Sequence, residues 1–126
     1  MKLLLDTHVF LWWRSDAPDL KGKVKNALLD PATEVYVSAA VAWEIVIKRA
    51  LGRLLFEGSV GMAVAEEGFH LLPITVAHVD EVAALPEHHR DPFDRMLVAQ
   101  ARREDLTLAT HDRIMKRYEG FDLLLA

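Results

Sequence analysis

EVYVSAAVAWEIVIKRALG, residues 34–52, decides the fold. Glu34 to Val37 is β-branched and aromatic, which predicts a strand. Ser38 follows at once, a residue suited to cap a helix N-terminus. Ala39 to Ile47 is apolar at every position except Glu44, and Gly52 is placed to stop the helix. A strand running straight into an apolar helix is half of a βαβ unit. Inside that helix a lone carboxylate is costly unless something pairs with it. Lys48, four residues on, offers an ordinary surface pair worth about 0.2–0.5 kcal/mol. The alternative is that Glu44 faces something else.

Working outward, the same alternation repeats. Lys2 to Leu5 is a short apolar run ending at Asp6 and reads as a buried strand. Val9 to Arg14 and the amphipathic Leu20 to Leu29 read as helices, the second closed by Pro31. Downstream, Val60 to Glu67 predicts a helix, Phe69 to Leu72 a strand, and Thr75 to Leu85 a helix capped by Thr75. Asp91 to Glu104 carries Pro92 at its first helical position and the apolar stripe of MLVAQA. Leu106 to Ala109 predicts a strand, His111 to Arg117 a short helix and Phe121 to Leu125 a last strand. Strands alternating with helices imply an α/β fold with a mostly parallel sheet of about five strands, covered on both faces. In such folds ligands bind at the carboxyl ends of the strands.

The bulk properties narrow the function. The chain has 126 residues, the size of one domain, with no linker or repeat dividing it. At 52% hydrophobic residues it can bury a core, so disorder is not expected. The absence of cysteine excludes disulfides and thiolate metal sites and fits a reducing cytoplasm. The apolar run of MKLLLD is too short for a signal peptide, and the stretch around Glu44 is too short and too charged for a membrane span. A cytoplasmic protein without membrane contact is expected. A net charge of −4 argues against coating nucleic acid by bulk charge. Any nucleic-acid chemistry would need local basic groups, or cations held by local acid.

The strand-end rule selects four acids. Asp6 follows the first strand and Asp112 the fourth. Asp94 lies in the first turn of the DPFDR helix, and Glu44 about two turns into the helix after the second strand. Each has a simpler reading. Asp6 and Asp112 could cap the helices after them, and Asp91 with Asp94 fits a capping box. Together they are harder to dismiss. Carboxylates within ~5 Å repel by roughly 3 kcal/mol per pair at an effective dielectric of about 20. Such a cluster persists when some carboxyls stay protonated or a cation sits among them. Oxygen ligands without cysteine point to Mg²⁺ or Mn²⁺, which suit phosphate substrates.

LLDTH, SAAVAWEI, HRDPFDRMLVAQA and LATHD, in that order, resemble the acidic motifs of PIN-domain nucleases. The nearest likeness is to VapC-type toxins of bacterial and archaeal toxin–antitoxin pairs, and it spans residues 2–125. The resemblance implies a three-layer α/β/α sandwich formed by one domain over residues 1–126. It implies an endoribonuclease dependent on one or two Mg²⁺ or Mn²⁺ ions, with Asp6, Glu44, Asp94 and Asp112 as metal-binding and catalytic acids. Asp91 and Thr110 occupy supporting positions. It further implies an RNA substrate, a VapB-type antitoxin as partner and a homodimer. Two other functions fit the residues: a PIN-type RNA-processing nuclease outside any toxin pair, and a non-catalytic module whose acidic pocket captures a basic peptide.

Several residues admit two readings. Lys48, Arg49, Arg90 and Arg95 are candidates for phosphate contacts. Arg102 and Arg103 end their helix and read as solvated charges favoured by its dipole. His8, His88, His89 and His111 lie near the acids in sequence. They lack ligand spacing such as H-x-x-x-H, so a mixed histidine–carboxylate metal site stands beside plain hydrogen bonding. His88 and His89 are also candidates to touch RNA phosphate. Adjacent Trp12 and Trp13 cannot share one helix face. Either one enters a partner's groove, or both pack on different parts of this chain.

Overall fold

The computed structural model describes residues 1–126. Its elements run β1 (Lys2–Leu5), α1 (Thr7–Arg14), α2 (Gly22–Leu29), β2 (Glu34–Ser38), α3 (Ala39–Ala50), α4 (Val60–Glu66), β3 (His70–Leu72), α5 (Val76–Ala84), α6 (Pro92–Glu104), β4 (Thr107–Thr110), a 3₁₀ turn (Arg113–Arg117) and β5 (Asp122–Leu125). The strands form one sheet in the order β3-β2-β1-β4-β5. Every pairing is parallel. Parallel neighbours need crossover connections, and these place helices over the sheet faces. This is the expected α/β/α architecture with five strands. No helix is long and apolar enough to cross a membrane.

β1 is the centre of the sheet and of the core. Leu3, Leu4 and Leu5 are all fully buried, without the alternation of a one-sided strand. Leu5 sits opposite Val37 of β2 and Ala109 of β4. From β1 the chain first builds outward through β2 and β3, then crosses back to β4 on the other side. The crevice at the carboxyl ends of β1 and β4 is therefore the topological switch point, where ligand sites form in open α/β sheets.

Local chemistry sets the element ends that matter here. Ser38 closes β2 and caps α3 in a single residue, its hydroxyl accepting from the Ala40 N–H at 3.0 Å. At the far end of α3, Gly52 takes φ +72°, while its N–H bonds Arg49 O at 3.0 Å and the Arg53 N–H bonds Lys48 O at 2.9 Å. That is the left-handed Schellman closure for which glycine is suited. α2 begins two residues later than the pattern of apolar side chains suggests, because Gly22 enters it at φ +67°. β4 runs one residue further than expected: Thr110 O accepts from the Ala126 N–H at 2.8 Å. The last helix shrinks to the 3₁₀ turn, since the His111 N–H is held back on Asp6 Oδ2 at 3.1 Å.

Trp12 and Trp13 both pack against the core of this chain. Trp12 lies edge-on to His111 at 5.6 Å between ring centres, and Trp13 faces Phe69 at 6.3 Å. The exposed tryptophan is Trp43, 61% accessible.

Candidate functional site

At the switch point the chain forms a polar cleft of about 150 Å³ with no hydrophobic lining residue. Asp6, Glu44, Asp94 and Asp112 all line it, with Asp91, Thr7, His8, Lys48, His89 and His111. Four separate segments supply these groups: the β1–α1 junction, α3, the start of α6 with the loop before it, and the residues after β4.

Asp6 caps α1 with one oxygen and turns the other into the cleft. Its Oδ1 caps α1 by accepting from the Val9 N–H at 2.8 Å. Its Oδ2 accepts from Thr110 Oγ1 at 2.6 Å and from the His111 N–H at 3.1 Å, and lies 3.0 Å from His111 Nδ1. Burial pushes the Asp6 carboxyl up, but the hydrogen bonds from His111, Thr110 and Val9 outweigh it and hold the group below the ordinary value. Correspondingly, the bond to Asp6 raises His111. Asp112 divides its oxygens in the same way. Oδ1 caps the 3₁₀ turn through the Ile114 N–H at 3.1 Å, and Oδ2 faces His89 Nε2 at 3.0 Å. Thr110 couples these two acids, because its Oγ1 also accepts from the Asp112 N–H at 3.1 Å.

The capping box expected at DPFD resolves differently. Asp91 alone caps α6, its Oδ1 accepting from the Phe93 and Asp94 N–H groups at 2.9 and 3.3 Å. Asp94 turns inward and meets His89 Nε2 at 2.9 Å. Burial, then the neighbouring charges of Asp91 and Asp6, push the Asp94 carboxyl up to about 7. Glu44 does pair with Lys48, at 2.5 Å, but in the interior: its side chain is 6% exposed. Its other oxygen accepts from Thr7 Oγ1 at 2.5 Å.

The basic residues sort less evenly. Of Lys48, Arg49, Arg90 and Arg95, only Lys48 lines the cleft. Arg49 is spent on the carbonyls of Phe56 and Gly58, at 3.1 and 2.8 Å, and ties down the loop after α3. Arg95 is spent on the carbonyls of Val82, Leu85, Pro86 and His89. Both Nη groups of Arg95 and the Nη1 of Arg49 are thus taken up by backbone carbonyls. Arg90 is exposed beside the cleft, bordering a second polar hollow with Glu87, His89 and Arg95. Arg102 pairs with Glu81 at 3.4 Å.

Three cleft residues carry more than their sequence positions suggest. His89 bridges Asp94 and Asp112, His111 binds Asp6, and Thr7 binds Glu44. His8 stacks on His111 with ring centres 4.1 Å apart. His89, Asp94 and Asp112 bring one potential ligand atom each within 4.8 Å of one another. The five acids of the cleft face one permanent cation, Lys48. An oxygen-rich, thiolate-free donor set with surplus negative charge suits a hard divalent cation.

The model of the PIN domain matches residues 3–120. The chain belongs to the PIN domain family. That family consists of nucleases, generally metal-dependent. Solved structures share the fold across nearly the full chain. VapBC2 from Rickettsia felis, bound to a DNA fragment from its promoter, superposes with TM-score 0.70 at 14% identity, covering 100% of this chain and 99% of that one. DNA-bound VapBC from Salmonella typhimurium gives 0.69 at 15%, covering 98% and 97%. FitAcB from Neisseria gonorrhoeae gives 0.65 at 22%, covering 97% and 96%. No curated protein matches this PIN domain in a sequence search.

Proposed function

We propose that this PIN domain is a divalent-metal-dependent endoribonuclease and the toxin of a toxin–antitoxin pair. The observation that carries the reading is the convergence of Asp6, Glu44, Asp94 and Asp112 on one polar cleft at the switch point. Membership of a nuclease family and likeness to chains of VapBC complexes support it.

The residues fit a cation. Asp94 holds its proton to about pH 7 because burial and two neighbouring acids surround it with uncompensated negative charge. A divalent ion relieves that charge. Asp6, Glu44, Asp94 and Asp112 would hold one or two Mg²⁺ or Mn²⁺ ions. Bound there, such an ion would supply an activated water at neutral pH and positive charge opposite the phosphate. The chain's own groups do the rest. Thr110 and Thr7 fix the rotamers of Asp6 and Glu44. Lys48 supplies positive charge at the cleft wall, and exposed Arg90 would steer the RNA backbone. Hydrolysis by direct in-line attack leaves a 5′-phosphate and a 3′-hydroxyl.

A protein partner is part of the reading. Trp43 and Val46 of α3 are 61% and 44% exposed, large apolar side chains of the kind that association covers. We assign the partners as a second copy of the chain and a VapB-type antitoxin, in the cytoplasm. Brief induction followed by sequencing of RNA ends tests the proposal. Wild type should arrest growth and create new 5′ ends at a defined site, and Asp6→Asn should do neither. A mutant that still arrests growth would separate toxicity from cleavage.

A further inference from the structure

We infer that His89 is a positioning residue of the acid cleft: its Nε2–H is shared between Asp94 Oδ2 and Asp112 Oδ2, ties the acid of α6 to the acid after β4, and turns their remaining lone pairs toward the cation. The inference rests on the metal-site reading above and assigns this histidine a part in it.

The imidazole sits on a built mount. The His89 N–H donates to the hydroxyl of Tyr118 at 3.0 Å, and the His89 carbonyl accepts from Arg95 Nη1 at 3.4 Å. The same Nη1 donates to Tyr118 Oη at 3.2 Å and to Pro86 O at 3.0 Å, while Nη2 reaches Val82 O at 3.2 Å and Leu85 O at 3.4 Å. Tyr118 is itself buried. The backbone is thus pinned on both sides of His89, and the loop from Leu85 to Arg90 is laced to α6. An imidazole on so fixed a backbone serves as a stop for whatever it touches. It touches two acids that no other group joins, at 2.9 and 3.0 Å.

The other ring nitrogen says that His89 donates rather than ligates. Nδ1 accepts from the Arg90 N–H at 3.1 Å. A neutral ring with a lone pair at Nδ1 carries its proton at Nε2, which faces the carboxylates. Ligation through Nε2 would move that proton to Nδ1, against the Arg90 N–H. Metal-binding side chains commonly depend on such outer donors, whose loss costs about 10–100-fold in metal affinity. Asp94 Oδ1 accepts no hydrogen bond from the protein and is the oxygen left to face an ion.

Mn²⁺ calorimetry on wild type, His89→Ala and His89→Gln, with pulsed electron resonance of the bound Mn²⁺, tests this. Gln places an N–H near the position of Nε2–H. His89→Ala should bind Mn²⁺ roughly 10–100-fold more weakly, and His89→Gln should recover to within about threefold of wild type. Wild-type Mn²⁺ should show no coupling to a directly bound imidazole nitrogen, and nitrogen NMR of the ion-free protein should find the His89 proton on Nε2. Unchanged or tighter binding by His89→Ala, or a directly bound nitrogen, would overturn the role of His89 while leaving the cation site standing. Failure of wild type to take up Mn²⁺ would instead overturn the site itself, and this role with it.

Discussion

His78, in the first turn of α5, and His89, in the loop before α6, make the same contact. Each presents Nε2 to a carboxylate oxygen at 2.9 Å, His78 to Glu104 and His89 to Asp94. Around His78 one N–H meets one acid, and Gln100 Nε2 lies 3.4 Å from its Nδ1. Its Nδ1 accepts from the Thr75 N–H, its own N–H donates to Thr75 Oγ1, and the ring is 1% exposed. That is a capping box closed on a single acid, and it holds α5 in place. Around His89 the acids outnumber the donors. Two carboxylates share one N–H, and Asp91 and Asp6 act on Asp94 from behind. The contact alone does not mark a functional site. What marks it is a surplus of like charge, delivered by several elements to one crevice and left uncompensated.

That contrast can be broken in order of expected effect. Asp6→Asn keeps the helix cap, since Asn caps as well as Asp, but removes an acid of the surplus. Loss of several kcal/mol of transition-state stabilisation should cut RNA cleavage by roughly 10²–10⁴-fold, read in a gel assay at fixed Mn²⁺. Asp94→Asn tests the electrostatics. The folded Asp94 keeps its proton to about pH 7, whereas an ordinary carboxyl loses it near 3.8. Between these values the unfolded chain binds fewer protons, so the Asp94 contribution to the stability of the ion-free protein falls as pH rises across the window and is level above it. Asp94→Asn should remove that contribution and stabilise the ion-free protein at pH 8 by roughly 2–4 kcal/mol, measured by urea denaturation. In wild type, Mn²⁺ affinity should climb as pH rises through about 7, because Asp94 must release its proton first.

His78→Ala is the control at the matched site. It removes a cap and a buried hydrogen-bond partner, and should cost roughly 2–3 kcal/mol of stability while leaving Mn²⁺ affinity unchanged. Asp91→Asn should do least. It retains the α6 cap and removes one neighbouring charge, so Mn²⁺ affinity should shift by no more than about fivefold in calorimetry.

The sequence disclosed the sheet because its signals are local. Apolar runs mark every strand, and Ser38, Thr75 and Asp91 mark helix starts through contacts within three residues. The four acids were legible for a related reason, since strand ends and first helical turns point to one edge of a parallel sheet. Their donors were legible only as candidates, without their partners. His89 is five residues from Asp94 but meets Asp112 only through the fold, and Thr110 reaches Asp6 across 104 positions. Arg49 and Arg95 read as candidates for phosphate because a sequence shows their charge and not the loop carbonyls that absorb it. A cap does not exclude a further role for Asp6 or Asp112, because a carboxylate has two oxygens: each acid caps through Oδ1 and turns Oδ2 into the cleft.

The most direct measurement is cleavage of a single-stranded RNA by purified protein with Mn²⁺ or Mg²⁺, with and without EDTA, beside Asp6→Asn. Cleavage that needs the ion, stops with EDTA and is lost in the variant is the expected result. Cleavage that survives EDTA, or an Asp6→Asn protein as active as wild type, would contradict a cation-dependent centre built on these acids.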